Sequence, residues 1–118
     1  MRRKKIKIRH NHWLPKLIRT EGITLYPFIL LREKKEYIKR DTYKHELQHC
    51  YQIEELGILN FYASYIFYFL AGLFRYRNGN EAYHKIPYEE EAYKVQGDPW
   101  RNRDIKHLNL KNEGISYE

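Results

Sequence analysis

Between Leu56 and Phe74 the chain runs for 19 positions without a charged residue, and the fate of that stretch decides how everything around it can fold. By length it meets the requirement for a membrane-spanning helix, about 20 apolar residues. Three features oppose a span. Gly57, Asn60, Ser64 and Gly72 dilute the run, and Tyr62, Tyr65 and Tyr68 would sit deep in hydrocarbon instead of at an interface. Residues able to do chemistry also lie on both sides of it, His45 and His49 before and Glu89 after. A span would hold them apart by a core roughly 30 Å thick, so a span and a shared site exclude each other. The stretch is therefore read as a helix from Ile58 to about Arg75. It is either buried on most sides or resting a surplus apolar face on a partner or a membrane surface.

Just upstream, Asp41-Thr42 supplies a helix N-cap and Gly57 a stop, which predicts a helix of about four turns. It contains His45-Glu46-Leu47-Gln48-His49. Residues four apart share one face of an α-helix, so both imidazoles can reach one metal ion. Neutral imidazole suits zinc, and Glu46 stands beside the pair, where it can take a proton from an activated water. The alternative is a solvated helix face that happens to carry two histidines.

A catalytic zinc site takes three protein ligands and keeps one position open. Pro87 fits the first position of a further helix, whose opening turn carries Glu89, Glu90 and Glu91. Its apolar stripe is Tyr88, Ala92 and Val95, which turns Glu90 away from the core. Glu89 and Glu91 flank the stripe on opposite sides, and helical geometry alone does not choose between them. Acidic residues also favour a first turn simply because they oppose the helix dipole.

With these residues in this order, the chain resembles the gluzincin class of zincin metallopeptidases, and in particular small bacterial and phage domains. Those domains pair an HExxHxxQ-like helix with a later P-x-E-x-E-A segment. The matching residues are His45-Glu46-Leu47-Gln48-His49-Cys50-Tyr51-Gln52, then Leu56-Gly57, then Pro87-Tyr88-Glu89-Glu90-Glu91-Ala92. The resemblance covers roughly Ile23 to Val95. It implies an α+β, zincin-like single domain: a small edge-stranded sheet packed on the HExxH helix, a connecting apolar helix and a glutamate-bearing helix. It further implies Zn2+ as cofactor, a peptide or protein substrate, His45 and His49 as ligands and Glu46 as general base. The related pattern E-x-x-A-D places its ligand three residues before alanine, which selects Glu89, with Glu91 as runner-up. The aspartate of that pattern falls on Tyr93, a departure that leaves the group orienting a ligand histidine unidentified.

The remaining segments are read more coarsely. Residues 1–12 form a basic arm that ends in a short strand, and Glu21-Gly22 reads as a turn. Ile23–Tyr26 and Phe28–Leu31 are β-prone pieces interrupted by Pro27, which demotes them to an edge or irregular strand with free backbone groups. Such an edge can align an extended peptide. Tyr37-Ile38 reads as a brief strand, residues 77–80 as a loop, and residues 97–118 as a polar, partly mobile tail of the single domain 1–118. Tyr83 and His84 precede the glutamate helix and are candidate stabilisers of an oxyanion. Cys50 reads as a small buried apolar residue, and His10, His12 and His107 receive no role.

Charge supplies the competing function. Met1 to Lys44 carries 14 Lys/Arg against 4 Asp/Glu, whereas His45 to Glu118 carries 8 against 11. The alternative to a peptidase is a non-catalytic basic module for nucleic acid or an anionic membrane, its metal site structural or vestigial. No helix-turn-helix, zinc-finger or RNA-recognition pattern accompanies the basic half. One cysteine excludes a disulfide framework, and Met1–Arg9 has no apolar signal-peptide core. The expected location is cytoplasmic or membrane-peripheral. The 58–75 helix is the expected surface for a protein partner or for self-association.

Overall fold

The computed structural model describes residues 6–99 together with Arg101 and Asp104. The start of the basic arm (1–5) and most of the polar tail, with His107, lie outside the described residues. The elements run β1 (Lys7–Arg9), α1 (Trp13–Leu17), β2 (Gly22–Leu25), β3 (Phe28–Leu31), α2 (Arg40–Leu56), α3 (Ile58–Tyr76), α4 (Gly79–His84) and α5 (Pro87–Val95). The described residues thus form a compact α+β domain. Its three-stranded sheet has the order β1-β3-β2, with β1 parallel and β2 antiparallel to the central β3.

Pro27 does not interrupt a strand; it makes the corner between two. Tyr26 and Pro27, joined by a cis peptide bond, form the turn, and the Leu25–Phe28 pair closes the hairpin. A proline has no ladder N–H to lose at a turn, so both β-prone pieces survive as strands. The brief strand expected at Tyr37-Ile38 is absent: Lys35–Tyr37 is a single 3₁₀ turn with Tyr37 exposed. The HExxH helix starts slightly earlier than the sequence suggests, with extended Lys39 as its cap and Asp41 inside the first turn. Thr42, free of capping duty, places its hydroxyl 3.4 Å from Glu21 Oε2. Of residues 77–80, read as a loop, Arg77 and Asn78 are the connection and Gly79-Asn80 already start α4, where the Asn78 side chain accepts from the Glu81 N–H.

α2 packs its apolar side on the sheet. Tyr43, Leu47, Cys50 and Ile53 form one buried cluster with Ile6, Ile8, Ile29 and Leu31, the i, i+4, i+7 spacing of one helix face. Gly22 allows β2 to lie close to α2: a Cβ there would come within 2.9 Å of Leu31 Cδ2 and 3.3 Å of Glu46 Cγ. Gly57, at φ 89°, ends α2, donating its N–H to Ile53 O. α3 then leads away, and α4 folds back on it with Ala82 seated against Gly72. The return path delivers α5 beside α2.

α3 itself is not buried on most sides. Only Phe61 and Gly72 are fully buried along it. It is long and apolar enough to cross a membrane by length and composition. Yet Glu89, which follows it, lies within 3.1 Å of histidines that precede it, and no spanning α3 could permit that.

Asp104 is buried against α2 by a polar cluster. Its carboxylate lies 3.1 Å from Lys44 Nζ, accepts from Tyr51 OH at 2.6 Å and from the Arg101 N–H at 3.1 Å, and Lys44 also donates to Pro99 O. Burial opposes ionisation of Asp104, but the Tyr51, Arg101 and Lys44 donors outweigh it and hold its pKa at about 2. Removing one member of such a pair leaves a buried charge unpaired. Asp104→Ala should therefore lower the unfolding free energy by about 3 kcal/mol at pH 7 in urea titrations. Because the folded pKa lies below the ordinary carboxyl value of 3.8, the stabilisation is full above that value. The difference between variant and wild type should shrink as pH falls from there toward 2.

Candidate metal centre

The two HExxH histidines sit one turn apart on α2, both buried, with ring centroids 5.0 Å apart. Their Nε2 atoms face the first turn of α5. There Oε1 of buried Glu89 lies 2.8 Å from His45 Nε2 and 3.1 Å from His49 Nε2. One ligand atom from each of the three residues falls within 4.8 Å of the others. A buried His-His-Glu group of this kind can hold a metal ion.

Hydrogen bonds behind the imidazoles prepare that role. Gln52 donates its amide to Tyr88 O at 3.0 Å and to Glu91 Oε1 at 3.1 Å, which turns its Oε1 toward His49 Nδ1 at 2.9 Å. An acceptor facing Nδ1 requires a proton there, and neutral His49 then presents a lone pair on Nε2. Gln96 Oε1 plays the same part for His45 Nδ1 at 2.8 Å. The other oxygen of Glu89 accepts from Tyr65 OH at 2.6 Å, which fixes the carboxylate and leaves Oε1 for the histidines. Gln52 and Gln96 thus face the histidines where the sequence pattern offered only Tyr93, whose ring packs edge-on against His45 at 4.4 Å. Gln52 lies one helical turn after His49, a spacing that could have flagged it. Gln96 and Tyr65 carry no such signal, because only the return path of the chain brings them in.

The electrostatics follow from packing one carboxylate between two imidazoles. Burial pulls the His49 pKa down, but the Glu89 hydrogen bond and the nearby Glu46 charge prevail and push it up to about 9. Burial likewise opposes ionisation of Glu89, yet hydrogen bonds from His45, His49 and Tyr65 hold its pKa well below the ordinary range. Glu46, one residue along, is buried beside Thr24 of β2, whose hydroxyl is 3.0 Å from both its Oε1 and its backbone O. Burial raises the Glu46 pKa, partly offset by the two histidines.

Glu91 lies outside the cluster. It is exposed and receives the amides of Gln48 and Gln52, because it projects from the other side of α5. His84 is also exposed, bonded through Nδ1 to Asn80 O and stacked on Tyr93; its place in the last turn of α4 turns it away from the cleft. Tyr83 lines the cleft with Glu46, His49 and Glu89. Burial, the Glu89 charge and a hydrogen bond with Tyr93 raise its phenol pKa, so it remains a donor.

Two clefts meet at this site and share Thr20, Gly22, Glu46 and Tyr83. One, of about 420 Å³, is walled by Ile18, Ile23, Leu25, Phe61, Tyr62 and Tyr65. The other, of about 450 Å³, is polar, with Arg19, Glu21, Lys39 and Asp41. No protein-family model, curated protein or solved structure matches this chain.

If Gln52 and Gln96 orient ligands, removing them should weaken metal binding without unfolding the domain. Gln52→Leu and Gln96→Leu should each lower Zn2+ affinity by about 10- to 100-fold in a chelator competition titration. Gln48→Leu, which removes an amide bonded to exposed Glu91, should leave it unchanged.

Proposed function

We propose that this chain is a zinc-dependent metallopeptidase of gluzincin-like, zincin type. The observation that carries the reading is the meeting of His45 Nε2, His49 Nε2 and Glu89 Oε1 at the junction of two clefts, with Glu46 on the wall of both. Two imidazoles and one carboxylate are a catalytic zinc donor set, and the imidazole tautomer set by Gln52 fits it. Zinc held there would act as a Lewis acid, lowering the pKa of a coordinated water and polarising the scissile carbonyl.

The protein's own groups account for the rest. Glu46, its proton affinity raised by burial, takes a proton from the attacking water and later returns it to the leaving amine. Thr24 keeps that carboxyl aimed by hydrogen bonding to Oε1. Tyr83, a cleft-lining phenol held in its donor form, can hydrogen-bond to the developing oxyanion. A linear substrate suits the paired clefts, one apolar and one charged. The outward carbonyls of β2 accept from side chains, Thr24 O from Tyr62 OH at 2.8 Å and Gly22 O from Thr20 Oγ1 at 3.2 Å. A peptide lying along this edge would replace those donors with its own N–H groups. The competing reading, a basic nucleic-acid module, rests mainly on an arm whose start lies outside the described residues.

Protein purified without an affinity tag and supplied with zinc should carry close to one equivalent by elemental analysis. Glu46→Gln should keep that zinc while losing hydrolysis of a peptide library by about 100- to 10,000-fold. His49→Ala should lose both. Zinc-loaded wild-type protein that cleaves no peptide would refute the peptidase reading, and loss of zinc from Glu46→Gln would refute the role given to Glu46.

A further inference from the structure

The two acceptors behind the histidine rings are held in different ways. Gln52 belongs to α2 itself, three residues after His49, and is buried with its amide on Tyr88 O. Gln96 comes from a distant part of the chain. It follows Val95, the last residue of α5, stands half-buried on the wall of the polar cleft, and donates its own N–H to Ala92 O at 3.0 Å. Helix ends fray, and each time this one did, water from the cleft would replace Gln96 on His45 Nδ1.

The residues after Gln96 are tied to α2 at three points. Arg40 Nη2 donates to Gly97 O at 3.3 Å, and Lys44 Nζ donates to Pro99 O at 3.1 Å. The same ammonium lies 3.1 Å from Asp104 Oδ2, while Tyr51 OH donates to Oδ1 at 2.6 Å. Arg40, Lys44 and Tyr51 fall within about 40° of one another around the helix, on the side next to the one that carries His45. The Lys44 and Asp104 side chains are only 2% and 1% exposed. Desolvating such a pair costs free energy that apolar residues of similar volume would not require, so stability alone does not account for it. An ion pair adds direction. One ammonium between Pro99 O and Asp104 admits a single placement of the segment, where apolar contacts would admit several.

We infer that Lys44 and Asp104 are positioning residues for the metal centre: by clasping the segment after α5 onto α2, they keep Gln96 on His45 Nδ1. His49, supported from within α2, does not depend on the clasp. The role rests on the reading of His45 as a metal ligand, so one of the two measurements below is made without metal.

The double variant K44M/D104L removes both charges together and leaves neither buried partner alone. Its Zn2+ affinity should fall about 10- to 100-fold in chelator competition, as for Gln96→Leu. Adding Gln96→Leu to it should cost no more than about twofold further, whereas adding Gln52→Leu should cost its full 10- to 100-fold or so. In the metal-free protein, proton NMR of the wild type should show the His45 Nδ1 proton exchanging slowly with water. That proton should exchange fast in both K44M/D104L and Gln96→Leu, with the corresponding proton of His49 still protected. Should K44M/D104L fail to fold, Asp104→Asn keeps the shape of the side chain and loses its charge, and should move both measurements in the same direction.

Unchanged zinc affinity in these variants would overturn the inference, and so would a Gln96→Leu effect that adds in full to K44M/D104L. A His45 proton as protected as in the wild type would overturn it too, as would loss of both histidine protons together, the mark of general loosening. Wild-type protein that binds no zinc would refute the metal-centre reading instead, and the His45 proton alone would then decide whether the clasp holds Gln96.

Discussion

One carboxylate oxygen, Oε1 of Glu89, stands within hydrogen-bond distance of two imidazoles on a different helix, and much of the chain's path serves that meeting. Desolvating a carboxylate and two titratable rings is costly unless every polar atom finds a partner. The partners are present: Gln52 and Gln96 behind the rings, Tyr65 on the second carboxylate oxygen. α5 reaches this position because α4 folds back on α3, and α4 can do so because Gly72 lets Ala82 approach. Substituting a larger residue at Gly72 would displace a helix whose end carries the link to Glu89, well away from the histidines themselves.

Stability and chemistry are divided between the two sides of α2. Its apolar side is fixed on the sheet by Tyr43, Leu47, Cys50 and Ile53. Its other side presents His45, Glu46 and His49, and Lys44 with Tyr51 engages buried Asp104. β2 belongs to both sides: Gly22 lets the strand close on the helix, and Thr24 uses that proximity to hold Glu46. The side chain that holds Glu46 in place thus depends on a glycine two residues earlier.

The long elements were legible in the sequence because their signals are local. Apolar periodicity, Gly57 and Pro87 mark α2, α3 and α5, and the four-residue spacing of His45 and His49 places both on one face. The short helices were not. α1 has five residues and α4 six, too few for periodicity to register. Asn78-Gly79-Asn80-Glu81 does contain a cap and an acidic residue three positions on, but its glycine reads as a turn. Helical geometry left Glu89 and Glu91 equivalent; the crossing of α5 over α2 separates them, sending Glu91 to Gln48 and Gln52. Gln96 and Tyr65 stayed hidden because long-range packing leaves no mark on neighbouring residues. The exposure of α3 was hidden for the opposite reason: a hydrophobic sequence does not reveal whether its second face is covered.

Everything else turns on where a cation binds. Anomalous diffraction at the zinc edge from crystals soaked in zinc would test it most directly. The predicted result is a single strong peak about 2.0–2.2 Å from His45 Nε2, His49 Nε2 and a Glu89 oxygen, with Gln52 and Gln96 still on the Nδ1 atoms. A peak held by other residues, or none at those three while zinc occupies the crystal elsewhere, would contradict it.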